Sequence, residues 1–136
     1  MSVYVLDANI VSFCMKDNNQ VLDNIERALG AGDEVLIAPI AYYEVRRGLL
    51  ALGSETKMNK FKQLCETFSV GQFDNSVLDV AADIYFELRT IGRIVDDADI
   101  LIAAFCRRHS FMLITNNVKH FENIAGITII DWTLAE

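Results

Sequence analysis

Four residues with side-chain oxygen atoms stand where a parallel sheet would bring them together. Asp7 directly follows the apolar run Val3–Leu6, and Asn117 comes soon after another such run. Glu44 and Asp99 fall in early turns of two predicted helices. Because ligand crevices in open parallel sheets lie beyond the carboxyl ends of the strands, we expect these four side chains at one edge.

Three carboxylates and one amide suit metal-assisted hydrolysis of a phosphodiester bond. Mg²⁺ and Mn²⁺ prefer oxygen ligands, and Mg²⁺ keeps several waters, so this set fits them better than Zn²⁺. A bound ion lowers the pKa of a water until it becomes a nucleophile, and a second ion, about 3.5–4 Å away, stabilises the leaving oxygen. His109 and His120 lack the spacing of a zinc pair, so we expect them at the surface or at helix ends.

Each candidate also has a purely structural interpretation. Asp7 could cap the helix that follows it, and Glu44 could be a solvated helix residue paired with Arg47. Asp99 could be one of several acids that favour a helix N-terminus, and Asn117 could be a turn residue. Only their joint position at the ends of strands favours the functional interpretation.

Apolar runs and helical spacing predict the elements that position these residues. Strands are expected at residues 3–6, 35–37, 112–114 and 127–130, with a weak strand at 70–73. Helices are expected from about 18 to 29, from 39 towards 53, from 54 to 68, from 76 to 91, and from 96 or 97 through 105. Strands separated by helices imply parallel pairing, and hence a three-layer α/β/α sandwich with a mainly parallel central sheet.

Local signals mark where three of these helices begin. Pro39 suits a first helical turn, because its missing N–H has no intrahelical partner there. Ser76 with Asp79 resembles a capping box. Asp96 or Asp97 can cap the helix that carries Asp99.

Composition indicates one compact domain, residues 1–136, in a reducing cytoplasm. The chain is 52% hydrophobic with one Pro, and no apolar run approaches the ~18 residues of a membrane span. The first residues carry no basic stretch typical of export signals. Cys14, Cys65 and Cys106 are an odd number without Cys-x-x-Cys spacing, so we expect three small buried hydrophobes rather than a disulfide framework or zinc site.

The net charge of −7 argues at first against nucleic-acid binding, because phosphate contacts need Lys and Arg. That objection weakens if the acids are concentrated in a site for divalent cations. Bound ions then reverse the local charge and attract phosphate.

Four sequence blocks, in this order, resemble VapC-type toxins of the PIN-domain class. The blocks are VLDAN at 5–9, YYEVRRG at 42–48, IVDDADILIAA at 94–104 and LITNNVKHF at 113–121, followed by Trp132. The resemblance implies an endoribonuclease that uses Mg²⁺ or Mn²⁺, with metal ligands Asp7, Glu44 and Asp99 and with Asn117 at the fourth catalytic position. It also implies a homodimer inhibited by a VapB-type antitoxin, and transfer RNA as a family-level substrate.

The chain departs from the commoner family pattern at three positions. Ala8 and Ala41 stand where a hydroxyl residue is frequent, which removes possible donors to the carboxylates. Asn117 stands in place of Asp, which keeps an oxygen ligand and drops one charge. We therefore expect one firmly held ion and a second that binds only with substrate.

An RNA substrate requires basic residues near the acids. Arg46 and Arg47 lie within one helical turn of Glu44 and are the first candidates for substrate binding, although an antitoxin segment could use the same crevice. Further basic residues that could line the approach are Lys57, Lys60, Lys62, Arg93 and Lys119.

Other protein classes remain as alternatives. A catalytically inert PIN-like binding module would be expected to lack one of the three acids, and all three are present. A DNA-directed, structure-specific nuclease would use similar carboxylates, and only the short chain speaks against it. A phosphoacceptor domain would want paired acids after its first strand, and the glycine-rich motifs of nucleotide-binding proteins do not occur.

Overall fold

In the computed structural model, which describes residues 1–135, four strands and seven helices follow one another along the chain. The strands are β1 (Val3–Leu6), β2 (Glu34–Ile37), β3 (Met112–Ile114) and β4 (Thr128–Ile130). The helices are α1 (Ala8–Met15), α2 (Asn19–Gly30), α3 (Pro39–Leu52), α4 (Glu55–Phe68), α5 (Asn75–Thr90), α6 (Asp97–His109) and α7 (Val118–Phe121).

The central sheet is parallel throughout, with the strand order β2-β1-β3-β4. Leu6, the last residue of β1, lies beside Ile37 of β2 and Ile114 of β3. The carboxyl ends of three strands therefore meet at one edge, directly before Asp7. The predicted α/β fold with a parallel central sheet is confirmed.

The apolar runs that predicted the strands form the middle of the core. Val5 and Leu6 of β1, and Leu113 and Ile114 of β3, are completely buried, as expected for strands covered on both faces. Helix α6 is buried over much of its length, at Ile100 and from Ile102 to Cys106. Asp99 therefore stands at the entrance to the most deeply buried helix.

The weak strand predicted at 70–73 is reduced to a single bridge between Ile37 and Val70. The N–H of Gly71 still donates to the carbonyl of Ile37 at 3.0 Å. A Cβ atom at Gly71 would lie 2.5 Å from Cζ of Phe105. The segment leaves the sheet at Gly71, where its backbone lies against the ring of Phe105 in α6.

The predicted capping box of Ser76 and Asp79 is wrong. Helix α5 begins at Asn75, and its N-cap is Asp74, whose carboxylate accepts the N–H of Val77 at 3.2 Å. The hydroxyl of Ser76 donates to the same carboxylate oxygen, so Ser76 supports the cap instead of forming it. Asp74 is the N-cap residue because its charged side chain lies directly before the helix and can accept both hydrogen bonds.

Two helices and the three cysteines can also be compared with the predictions. The short helix α7 was not predicted. Helix α5 ends at Thr90, so Ile91, where the predicted helix ended, is an exposed C-cap residue. All three cysteines are free thiols, as expected. Cys14 and Cys106 are buried, but Cys65 is only partly buried, so the expected burial is wrong for that residue. Burial raises the pKa of Cys14 to about 11 and also raises that of Cys106, so both thiols stay protonated at neutral pH.

Among residues 1–135, no helix has the length and apolarity needed to cross a membrane.

Candidate active site

Asp7 is both a helix cap and a member of the candidate site. It follows β1 directly and is the N-cap of α1, where its Oδ1 accepts the N–H of Asn9 at 2.9 Å. Its Oδ2 accepts the hydroxyl of Thr115 at 2.6 Å, and only 5% of the residue is exposed. Each carboxylate oxygen keeps a lone pair for another partner, so the capping role does not exclude ligand binding.

Thr115 is a residue of this site that the sequence analysis did not single out. It follows β3, is completely buried, and accepts the N–H of Asn117 at 3.0 Å while donating to Asp7. The signal that could have revealed it was its position directly after a buried strand, level with Asp7.

Glu44 reaches the same edge from the second turn of α3. This helix begins with Pro39 directly after β2, and the N–H of Ala38 donates to the carbonyl of Leu6 at 3.0 Å. That hydrogen bond ties the start of α3 to the end of β1. The half-buried side chain of Glu44 consequently lies near Asp7.

Asp99 lies in the first turn of α6, and its Oδ2 is 3.2 Å from Nδ1 of His120. His120 stands in α7 and is half exposed, so its predicted position at a helix end is correct. Its contact with Asp99 was not predicted. The imidazole supplies a nitrogen partner that holds one oxygen of this carboxylate.

All four predicted residues line one cavity of about 210 Å³, which we call the acid cavity. Its remaining lining comes from Ala8, Asn9, Asp96, Ala98, Ile102 and His120. Asp96 is the N-cap residue of α6, but its side chain makes no capping hydrogen bond. The cavity therefore contains four carboxylates and two amides within a small volume.

Burial and neighbouring acids oppose the ionisation of the three principal acids. Burial is the main cause that raises the pKa of Asp7, and the charge of Asp99 adds to it. Burial also raises the pKa of Glu44, assisted by Asp99 and Asp7 and opposed by nearby Arg47. The pKa of Asp99 is raised by burial and lowered in part by His120. A cation in the cavity would relieve this repulsion.

The lining fits Mg²⁺ or Mn²⁺ in its chemistry. Within residues 1–135, no three His, Cys, Asp or Glu side chains form a group that is already arranged to hold a metal ion. Mg²⁺ commonly binds through one or two carboxylates and retains several waters, so a complete protein cage is not required. Oxygen-rich linings of this kind suit hard cations better than Zn²⁺.

The two arginines proposed for substrate binding point in different directions. Nη1 of Arg46 lies 3.8 Å from Sδ of Met58, so this side chain faces α4. The guanidinium of exposed Arg47 lies over the ring of Tyr43, 5.0 Å from its centroid. Among the described residues, the lining of the acid cavity includes neither arginine.

Comparison with known proteins agrees with the fold. The pattern of the PIN domain matches residues 4–127, which is most of the chain. The chain therefore belongs to the PIN-domain family. The four-stranded parallel sheet and its flanking helices are consistent with that assignment.

Within this family, the chain is similar to VapC ribonucleases. Ribonuclease VapC1 of Haemophilus influenzae (strain R2866) is 28% identical over 134 residues, covering 96% of this chain and 98% of that protein. The tRNA(fMet)-specific endonuclease VapC of Shigella flexneri is 25% identical, covering 98% and 100%. The solved structure of VapBC-1 from nontypeable Haemophilus influenzae has a TM-score of 0.84 at 27% identity, covering 97% and 99%. The resemblance drawn from the four sequence blocks is confirmed.

Proposed function

We propose that this protein is a metal-dependent endoribonuclease that acts as the toxin of a toxin–antitoxin pair. The observation that carries the proposal is the meeting of Asp7, Glu44 and Asp99 in one cavity of a PIN-domain chain. The chain aligns with these relatives over nearly their whole length, and they are named as a ribonuclease and a tRNA endonuclease. These names support RNA as the substrate.

Asp7, Glu44 and Asp99 would hold Mg²⁺ or Mn²⁺, with Asn117 as a fourth oxygen donor. When bound, such an ion supplies an activated water and stabilises negative charge on phosphate. The protein's own part is to fix the carboxylates. Thr115 holds one oxygen of Asp7, and His120 holds one oxygen of Asp99.

The elevated pKa values of the three acids have a direct consequence for this chemistry. Raised carboxyl pKa values favour the protonated form, which is a poor ligand for a cation. The hydrogen bonds from Thr115 and from the N–H of Asn9 lower the pKa of Asp7 and oppose the effect of burial. These donors help to keep Asp7 ionised, and therefore able to bind a cation, at neutral pH.

Partner and substrate are inferred from the same relatives. The VapBC structures to which this chain is similar are toxin–antitoxin complexes, so a VapB-type antitoxin is the proposed inhibitor. The homodimer that the family resemblance implies is kept as the proposed assembly. The Shigella flexneri relative is named for cleavage of tRNA(fMet). Transfer RNA is therefore the first substrate to test.

The decisive experiment is cleavage of total cellular RNA, and of purified transfer RNA, by the protein with Mg²⁺ or Mn²⁺. Parallel reactions contain EDTA or the double variant Asp7→Asn/Asp99→Asn. A matched control, Asp23→Asn/Asp79→Asn, removes two exposed acids away from the cavity. We expect cleavage by the wild type and the control, and none with EDTA or the double variant at the site.

Two other outcomes separate the alternatives. Equal behaviour of wild type and site variant would refute the metal site and favour a catalytically inert binding module. Single- and double-stranded DNA are included as substrates. Cleavage of DNA but not RNA, lost in the same double variant, would identify a DNA-directed nuclease.

A further inference from the structure

His120 brings an imidazole into the acid cavity, whose other polar side chains, among the described residues, are carboxylates and amides. The chain has two histidines. The other, His109, ends α6 and packs its ring against Phe105 and Phe111, with centroids 5.2 Å apart in both pairs. One histidine therefore faces the acids, while the other belongs to an aromatic cluster outside the cavity.

Backbone hydrogen bonds fix the position of His120 relative to the acids. Its N–H donates to the carbonyl of Asn117 at 3.0 Å. The N–H of Asn117 donates in turn to the hydroxyl of Thr115, which is bonded to Asp7. The next residue, Phe121, is completely buried and anchors α7 in the core. The imidazole is thus held at the same edge of the sheet as the carboxylates.

Nδ1 of His120 lies 3.2 Å from Oδ2 of Asp99. In the metal-free protein this spacing is that of a hydrogen bond. Adjacent ligands of an octahedral ion, each about 2.1 Å from the metal, lie about 3.0 Å apart. The same two atoms are therefore spaced as neighbouring ligands of one ion would be, and little movement of either side chain is required.

The type of ligand influences which ion a site selects. Mg²⁺ prefers oxygen ligands and loses its waters reluctantly. Imidazole is a better ligand for first-row transition ions, whose affinity for a given site rises from Mn²⁺ to Co²⁺. One imidazole among carboxylates should therefore strengthen the binding of Mn²⁺ and Co²⁺ more than that of Mg²⁺.

We propose that Nδ1 of His120 is a ligand of the metal ion in the acid cavity and makes this site favour Mn²⁺ and Co²⁺ over Mg²⁺. This inference rests on the metal site of the proposed function and adds a nitrogen ligand to it. A histidine that only oriented Asp99 would improve the binding of all three ions alike. The two roles therefore differ in metal selectivity and in the presence of a metal–nitrogen bond.

The first test is pulsed electron paramagnetic resonance of Mn²⁺ bound to the wild-type protein, without RNA and without a polyhistidine tag. We expect the ¹⁴N coupling of a directly bound imidazole in the wild type and in the matched control His109→Gln, and its loss in His120→Gln. The double variant Asp7→Asn/Asp99→Asn should bind no Mn²⁺.

The outcomes of this test separate the ligand from the proposed function. Bound Mn²⁺ without the ¹⁴N coupling in the wild type would overturn the ligand role of His120 and leave the metal-dependent nuclease standing. A wild type that binds no Mn²⁺ would overturn the metal site as well. The wild-type spectrum requires no variant, so the proposal stays falsifiable even if His120→Gln destabilises α7.

The second test is calorimetric titration of Mg²⁺, Mn²⁺ and Co²⁺ into the wild type, His120→Gln and His109→Gln. His120→Gln should bind Mn²⁺ about tenfold more weakly, as expected for a change beside a metal, and should lose more affinity for Co²⁺. Its affinity for Mg²⁺ should stay within about twofold of the wild-type value. The control should match the wild type with every ion.

Two results of the titrations would contradict the proposal. An equal loss of affinity for the three ions in His120→Gln would show that His120 only orients Asp99. Unchanged affinity for all of them would show that the imidazole takes no part in the metal site.

Discussion

The hydroxyl of Thr115 donates a hydrogen bond of 2.6 Å to Oδ2 of Asp7, joining residues 108 positions apart in the sequence. The other oxygen of Asp7 accepts the N–H of Asn9. Both oxygens are thereby fixed, and the carboxylate cannot rotate without losing a hydrogen bond. Thr115 also accepts the N–H of Asn117, so it connects two of the four predicted site residues.

Replacing Thr115 by Val should raise the pKa of Asp7, because a hydrogen bond that favours its charged form is lost. The acidic limb of kcat/KM against pH should then move to higher pH. The free energy of unfolding should fall by about 1–3 kcal/mol, because a buried acceptor loses its partner. Thr115→Ser keeps the hydroxyl and should restore the wild-type profile. An unshifted acidic limb in the Val variant would show that Thr115 acts only in packing.

Replacing Glu44 by Gln should stabilise the metal-free protein at neutral pH while abolishing cleavage. Burial raises the pKa of Glu44, so the folded state binds its proton more tightly than the unfolded state. The stability linked to this group is present below its ordinary pKa and is lost as the pH rises through the raised value. The gain in Tm from Gln should thus be largest near pH 7 and absent in acid.

The measurement for Glu44→Gln is thermal unfolding in EDTA, from acidic pH up to pH 7. Glu66→Gln, an exposed residue of α4, is the control and should change Tm little at any pH. A lower Tm for Glu44→Gln at pH 7 would show that ionised Glu44 gains more from Arg47 than burial and its neighbours cost.

The principal acids could be predicted because their positions depend on the strands. Val3–Leu6 and Met112–Ile114 are apolar enough to be recognised as buried strands, and parallel pairing then places the residues after each strand at one edge. Asp7 needed no further information. Glu44 and Asp99 required the additional expectation that their helices begin at that edge, which Pro39 and the acids before α6 indicated.

The contacts between residues far apart could not be predicted. His120 meets Asp99 only because the unpredicted helix α7 turns back towards α6. Four residues are too few for helical spacing to be recognised. The start of α5 was predicted wrongly for a different reason. Asp74 and Ser76 are both good capping residues two positions apart, and sequence alone does not decide which one precedes the helix.

Replacing Gly71 by Ala should destabilise the protein by about 1–3 kcal/mol, the range for overpacking a core. The new methyl group would meet the ring of Phe105 at 2.5 Å. That ring is buried and packs against Phe73 and Phe111, which restrict its movement.

Gly48→Ala is the opposite control for Gly71, measured in the same urea-unfolding series. A Cβ atom there meets nothing within 4 Å, and the residue lies inside α3. Its stability should therefore rise, by up to about 1 kcal/mol from helix propensity. An unchanged free energy of unfolding for Gly71→Ala would mean that the segment after β2 can move away from α6 with little loss of stability.

Replacing Asn117 by Asp should strengthen metal binding at the acid cavity. Asn117 lines that cavity with Asp7, Glu44 and Asp99, and a carboxylate there would add negative charge beside the site of the cation. The Mn²⁺ concentration for half-maximal cleavage should fall. In EDTA the same variant should have a lower Tm, because a further like charge is confined without a counterion.

The two effects of Asn117→Asp have opposite signs, which makes the test specific. With Mn²⁺ at about 100 times its Kd, binding stabilises a folded protein by about 2.7 kcal/mol, and this gain should be reached at lower Mn²⁺ in the variant. Asn59→Asp adds the same charge at an exposed position of α4. It should alter neither the Tm in EDTA nor the Mn²⁺ concentration needed for half-maximal cleavage. A variant whose Tm falls in EDTA while its metal requirement stays unchanged would place the side chain of Asn117 near the acids but outside the metal site.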